Sequence, residues 1–119
     1  MSRKKSGAHI VGWLSARQDC AEGRFIQIGN SLLLSSKYQH LTAGAKNTYQ
    51  CIAMESGGKR EFTFPLSAAK KYGITDNSLR RHIDELTRAG FISVRSGASI
   101  RQPNIYTFSF EWKTGQGAD

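Results

Sequence analysis

Apolar residues recur at two periods along this chain, and the switches between them mark out its elements. Tyr38, Leu41, Ala45, Tyr49 and Ile52 are spaced three, four, four and three apart. That spacing puts them on one stripe of a helix, predicted between Ser36 and Glu55. Ser36 and Gln39 have capping-box spacing, and Thr42 is a second N-cap candidate, the alternative being a short turn followed by a longer helix from Thr42. Gly57 and Gly58 tolerate the positive φ that ends a helix. Leu79, Ile83 and Leu86, spaced four and three apart, form a second helical stripe. Thr75 is its expected N-cap, Asp76 suits its positive first turn, and Gly90 suits its end.

A period of two appears elsewhere. Phe62 and Phe64 alternate over 59–64, a short strand stopped by Pro65. Residues 66–72 then have the length of two helical turns, entered through Pro65, with Ser67 a candidate cap. Gly73 and Ile74 form a tight turn. Residues 91–94 and 100–111 read as strands joined by a turn over 95–99. In the second, Tyr106, Phe108, Phe110 and Trp112 form an aromatic face expected to pack inward. Residues 25–28 have strand-like composition before a turn signal at Gly29 and Asn30, and 31–34 are ambiguous.

The order from Ser36 is helix, strand, short helix, tight turn, helix, strand, turn, strand. Two helices joined by a short Gly-containing turn are the helix-turn-helix signature, and a following hairpin makes it winged. The expected fold class is α+β: a winged helix-turn-helix with a three-helix core and a β-hairpin wing. With Leu79, Ile83 and Leu86 inward at about 100° per residue, Asn77, Arg81, Asp84 and Arg88 point outward. Ser78, Arg80 and Glu85 flank them. A major groove admits one helix, where Arg forks onto guanine and Asn onto adenine. Thr75, Asn77, Ser78, Arg80, Arg81, Asp84 and Arg88 are therefore the expected recognition residues. Arg95, Ser96, Ser99, Arg101 and Gln102 would decorate the wing. Lys70, Lys71, Arg3, Lys4 and Lys5 would support contacts to the DNA backbone. The plain alternative is a solvated charged face, with Arg81–Glu85 and Asp84–Arg88 as i,i+4 pairs.

Charge sharpens this reading. Among 119 residues, 17 are Lys or Arg and 9 are Asp or Glu, a formal net charge of +8. The excess sits in 1–24, with five basic and two acidic residues, and in 59–113, with ten basic and five acidic. A polyanionic partner fits it, nucleic acid before membrane. The expected organisation is a basic arm over 1–24, the domain over 25–113 and a flexible tail over 114–119. No apolar run approaches the roughly 20 residues of a membrane span, and a cytoplasmic location is expected. Two cysteines, Cys20 and Cys51, make no disulfide framework, and free thiols are expected, with one bridge left open.

The runs FTFP (62–65), KYGIT (71–75), SLRR (78–81), IDEL (83–86) and AGFI (89–92) resemble the winged helix-turn-helix family of bacterial DNA-binding proteins. RQPNIY (101–106) resembles its returning wing strand. With GWLS (12–15) and 25–35, the chain is similar to small helix-turn-helix proteins of conjugative elements and phages of Gram-positive bacteria. The resemblance implies sequence-specific duplex binding, commonly as a dimer, in transcriptional regulation or in replication and maintenance of a mobile element. It supplies no target sequence.

Other chemistry has little support. Ser67 and Lys70 match an acyl-enzyme spacing without its companion motifs. His9, His40, His82, Cys20 and Cys51 lack zinc-ligand spacing, and no Gly-rich phosphate loop is present. No metal, cofactor, small-molecule ligand or enzymatic activity is expected. Phe62 and Phe64 beside Lys59 and Arg60 read as core rather than an RNA platform. The competing reading is a protein-interaction module that keeps the winged fold, with Trp13, Leu14 and Trp112 as its association patch.

Overall fold

A computed structural model describes residues 14–19, 21–95 and 104–113. The described helices include α1 (Asn30–Leu34), α2 (Ser36–Gln39), α3 (Ala43–Ser56), α4 (Leu66–Lys71) and α5 (Asp76–Arg88). Three strands, β1 (Glu61–Phe62), β2 (Ile92–Arg95) and β3 (Ile105–Phe108), form an antiparallel sheet in the order β1-β3-β2. Phe62 faces Tyr106 across β1 and β3, and Ile92 faces Phe108 across β2 and β3. The architecture is α+β, and its element order is compatible with the winged-helix arrangement expected from the sequence.

Between Ser36 and Glu55 the chain takes the divided form, a short helical turn followed by a longer helix capped by Thr42. Ser35, not Ser36, caps α2, its Oγ accepting from the Tyr38 N–H at 3.1 Å. Gln39 does not close a capping box; its Nε2 donates to the Leu33 carbonyl. Thr42 caps α3 by accepting from the Ala45 N–H at 3.2 Å, and Gly57 ends α3 with φ of 64°. The apolar stripe faces inward, with Tyr38, Leu41, Ala45 and Ile52 buried and Tyr49 packed against them. Ser67 caps nothing: Pro65 holds the N-cap position of α4, without a side-chain bond. Residues 25–28 form no strand. Their β-prone composition acts only where a neighbouring strand offers a ladder, and Gly29 is the N-cap of α1 rather than the start of a turn.

Two glycines set the path around α5. Gly73, at φ 78°, follows α4. There the Gly73 N–H bonds the Lys70 carbonyl and the Ile74 N–H bonds the Ala69 carbonyl, both at 2.9 Å. Gly90, at φ 86°, does the same after α5, with Gly90 N–H on Thr87 and Phe91 N–H on Leu86. Both are Schellman motifs, which need a residue free to adopt left-handed φ. Each delivers its next side chain, Ile74 or Phe91, into the core.

Phe91 is the centre of that core. Its ring stacks on Trp112 at 5.0 Å and meets Tyr49 edge-on at 5.2 Å. Phe62 and Phe64 are both buried, in keeping with their core reading. The last strand ends earlier than the alternation predicts. The Ser109 N–H donates to the Phe91 carbonyl and the Trp112 N–H to the Gly90 carbonyl, while the Ser109 hydroxyl accepts from the Glu111 N–H. The chain bends there into a helical turn at 111–113. Trp112 reaches the core through that turn, and Phe110 is thrown outward, 45% exposed, against expectation. Among the described residues, no helix is long and apolar enough to cross a membrane.

A Cβ at position 90 would lie 3.0 Å from the Trp112 backbone nitrogen and 3.1 Å from the Glu111 Cβ. Gly90→Ala adds that crowding to the left-handed strain, so it should destabilise the domain by about 1–3 kcal/mol in urea denaturation. Gly58→Ala, in open space, should cost less.

Candidate nucleic-acid interface

The sequence-predicted recognition residues lie on α5, and the helix is built to hold them outward. The Thr75 hydroxyl accepts from the Ser78 N–H at 3.2 Å, fixing the first turn. Leu79 and Leu86 are buried and Ile83 is packed against the core. Thr75, Asn77, Arg80, Arg81, Asp84 and Arg88 are exposed, and Ser78 is partly so. The face that the spacing placed in solvent is therefore in solvent.

Its charges are mostly paired with one another. Arg80 bonds Asp76 at 3.3 Å and Arg88 bonds Asp84 at 3.1 Å, both i,i+4. Exposed pairs of this kind contribute little to stability, at most about 0.5 kcal/mol each, so an incoming phosphate or base displaces them cheaply. The expected Arg81–Glu85 pair does not form. Arg81 donates instead to the neutral Ser78 hydroxyl at 3.3 Å. It is the arginine of this face that no carboxylate holds among the described residues.

Glu85 is occupied elsewhere. Its two carboxylate oxygens accept from the Thr42 N–H at 2.7 Å and the Thr42 hydroxyl at 2.8 Å. A carboxylate is favoured at a helix N-terminus, so this bond clamps α5 to the start of α3. It also takes one negative charge away from a face that would meet phosphates. Sequence reasoning missed this bond, because 43 residues separate its partners.

His82 makes the second α3–α5 contact. Its Nδ1 lies 2.9 Å from the Thr48 hydroxyl, which is buried. The ring lies directly over Gly44, where any Cβ would collide with it. Burial, then the Arg81 charge, lowers the His82 pKa from its ordinary value, against the opposing pull of Glu85.

The supporting lysines divide. Lys70 is exposed. Lys71, expected on the DNA backbone, bonds Glu55 of α3 at 2.8 Å, and the Tyr72 hydroxyl donates to the same oxygen at 2.9 Å. The Lys71 bond, then the Tyr72 bond, holds the Glu55 carboxyl below its ordinary range. Arg95 is exposed at the end of β2. Ser96, Ser99, Arg101, Gln102, Arg3, Lys4 and Lys5 lie outside the described residues, as do Trp13 and Cys20. Trp112 is only 7% exposed, which removes it from the association patch expected with Leu14.

The structure adds two basic side chains to this face that periodicity did not indicate. A groove of about 580 Å³ brings Lys37 and His40 of the α2 region beside Asp84 and Arg88. No local pattern places α2 against the end of α5. Among the described residues, no group of three or more His, Cys, Asp or Glu side chains is placed to hold a metal ion. No protein-family model, curated protein or solved structure matches the chain.

Removing the clamp with Glu85→Ala should lower stability by about 1–2 kcal/mol, read from the urea midpoint. For His82, the unfolded chain binds a proton more readily than the folded one. Its contribution is thus complete above the ordinary value of 6.5 and is lost as pH falls below it. Melting temperatures at about pH 7.5 and pH 5.5 should differ less in His82→Gln than in the wild type.

Proposed function

We propose that this chain is a winged helix-turn-helix protein that binds duplex DNA, with α5 in the major groove. The observation that carries the reading is the outward face of α5. Asn77, Arg80, Arg81 and Arg88 stand exposed, while the Glu85 carboxylate is drawn into the α3 cap. α4 and α3 brace α5 from behind, so its side chains meet DNA without moving the core. Arg95 stands exposed at the end of β2, and it and residues 96–102 act on the backbone or the minor groove. Lys70, Lys37 and His40 extend the contact to flanking phosphates.

The resemblance to small proteins of conjugative elements and phages extends the proposal to a bacterial, cytoplasmic and non-enzymatic role. That role is transcriptional regulation or the replication and maintenance of a mobile element, exerted as a monomer or a homodimer. The competing reading, a protein-interaction module, has its support in Leu33 and Leu34, which stand exposed on α1. It predicts weak binding to any duplex.

Fluorescence anisotropy with a random duplex of about 30 base pairs, across a salt series, separates the two. About five phosphate contacts give a slope of roughly −4 to −5 in log K against log salt. The double variant Arg81→Glu, Arg88→Glu should abolish binding with unchanged melting, since both side chains face solvent. Wild-type affinity in that variant would remove α5 as the reading element.

A further inference from the structure

At the end of the sheet away from the β2–β3 connection lies an open groove of about 730 Å³. It runs between the 23–27 segment, the C-terminal end of α3, and the edge formed by Arg60 and Phe110. Two aromatic rings stand in its walls, Phe25 at 46% and Phe110 at 45% exposed. Arg24, Lys59 and Arg60 line it, and no carboxylate does. None of the outward α5 residues reaches it.

Aromatic and cationic groups are interleaved around Phe110. The Arg60 guanidinium sits 5.3 Å from the ring centroid and the Lys113 ammonium 5.0 Å. Arg60 is held in place, its Nε donating to the Phe108 carbonyl at 3.2 Å while its own carbonyl accepts from the Phe108 N–H at 2.9 Å. The negative end of α3 would repel an anion here. Arg24 offsets it by donating from its guanidinium to the Met54 carbonyl at 2.8 Å.

We propose that this groove binds a short stretch of single-stranded nucleic acid. Bases stack on Phe110 and Phe25, and phosphates meet Lys59, Arg60 and Lys113. Base faces are available only in an unpaired strand; a duplex keeps them in its own stack and offers backbone and groove edges. Exposed aromatics set among cations are the combination that single-strand binding uses, with roughly 1–3 kcal/mol per stacked base. An arriving base takes one face of Phe110 from the long Lys113 side chain, and the displaced ammonium meets the adjoining phosphate. An acidic peptide would satisfy the cations but has no reason to need both rings. The groove is separate from the α5 face, so one chain holds a duplex at one surface and an unpaired strand at another. That pairing suits work at a site where a duplex is opened.

The test is anisotropy of the full chain with a fluorescent oligo-dT of about 12 nucleotides, within the site sizes of such binders. Wild type should bind at micromolar protein and about 50 mM salt. Phe110→Ala should weaken binding about ten-fold or more, Phe110→Tyr should retain it, and Phe25→Ala should weaken it further, all with unchanged melting and duplex binding. The Arg81→Glu, Arg88→Glu variant should keep oligo-dT binding whatever it does to duplex, so the two proposals fail separately. Absence of oligo-dT binding, or wild-type affinity in Phe110→Ala, would overturn the proposal. So would a glutamate-rich peptide of equal charge that binds as tightly with the same dependence on Phe110.

Discussion

The left-handed turn at Gly90 is the point at which helix and sheet are made into one body. α5 ends there, and within two residues the chain must reverse and enter β2. A Schellman turn does this only with positive φ, and the neighbouring backbone at Trp112 would crowd any side chain there. The turn drops Phe91, fully buried, into the space between α3 and the sheet. Trp112 then closes over it from the returning end of the chain, stacked on its ring and bonded through its N–H to Gly90 itself. The direction of α5, the start of β2 and the aromatic core are all consequences of one dihedral angle.

Around this point, charge is used in two different ways. Two carboxylates tie α3 to its neighbours: Glu85 of α5 binds the Thr42 cap, and Glu55 of α3 binds Lys71 and Tyr72. Carboxylates that face solvent, Asp76 and Asp84, lie in loose pairs with arginines of the same helix. Three arginines against two carboxylates leave that face with a small positive balance, and Arg81 as the cation that no carboxylate holds among the described residues. The proposed duplex contact rests on this sorting of charges rather than on the net charge of the chain.

The elements whose determinants are local were legible in the sequence. The stripes over 38–52 and on α5 turn the residues their spacing selects toward the core, Tyr49 and Ile83 only partly buried, and Thr42, Thr75 and Gly90 cap where their side chains and φ preferences direct. Residues 25–28 misled, because β-prone composition makes a strand only beside another strand. Phe110 misled for a related reason. Period-two alternation assumes a continuing ladder, whereas the Ser109 bend is set by carbonyls of Phe91 and Gly90 that lie about twenty positions earlier in the chain. On the candidate interface, the outward set on α5 followed from angle alone. The partners of Glu85 and Lys71, and the approach of Lys37 and His40, depend on how α2, α3 and α5 pack, which no short window contains.

The two clamps on α3 sit near its opposite ends. Thr42 is gripped by Glu85 of α5, and Glu55 grips Lys71 at the end of α4. Thirteen residues separate them, about 20 Å of helix at 1.5 Å per residue. α3 therefore works as a ruler, and its length sets the distance between the two grips. One residue inserted in its middle would turn one grip by about 100° relative to the other, and no adjustment of side chains could restore both. A change that alters the count between Thr42 and Glu55 therefore breaks one of the two grips.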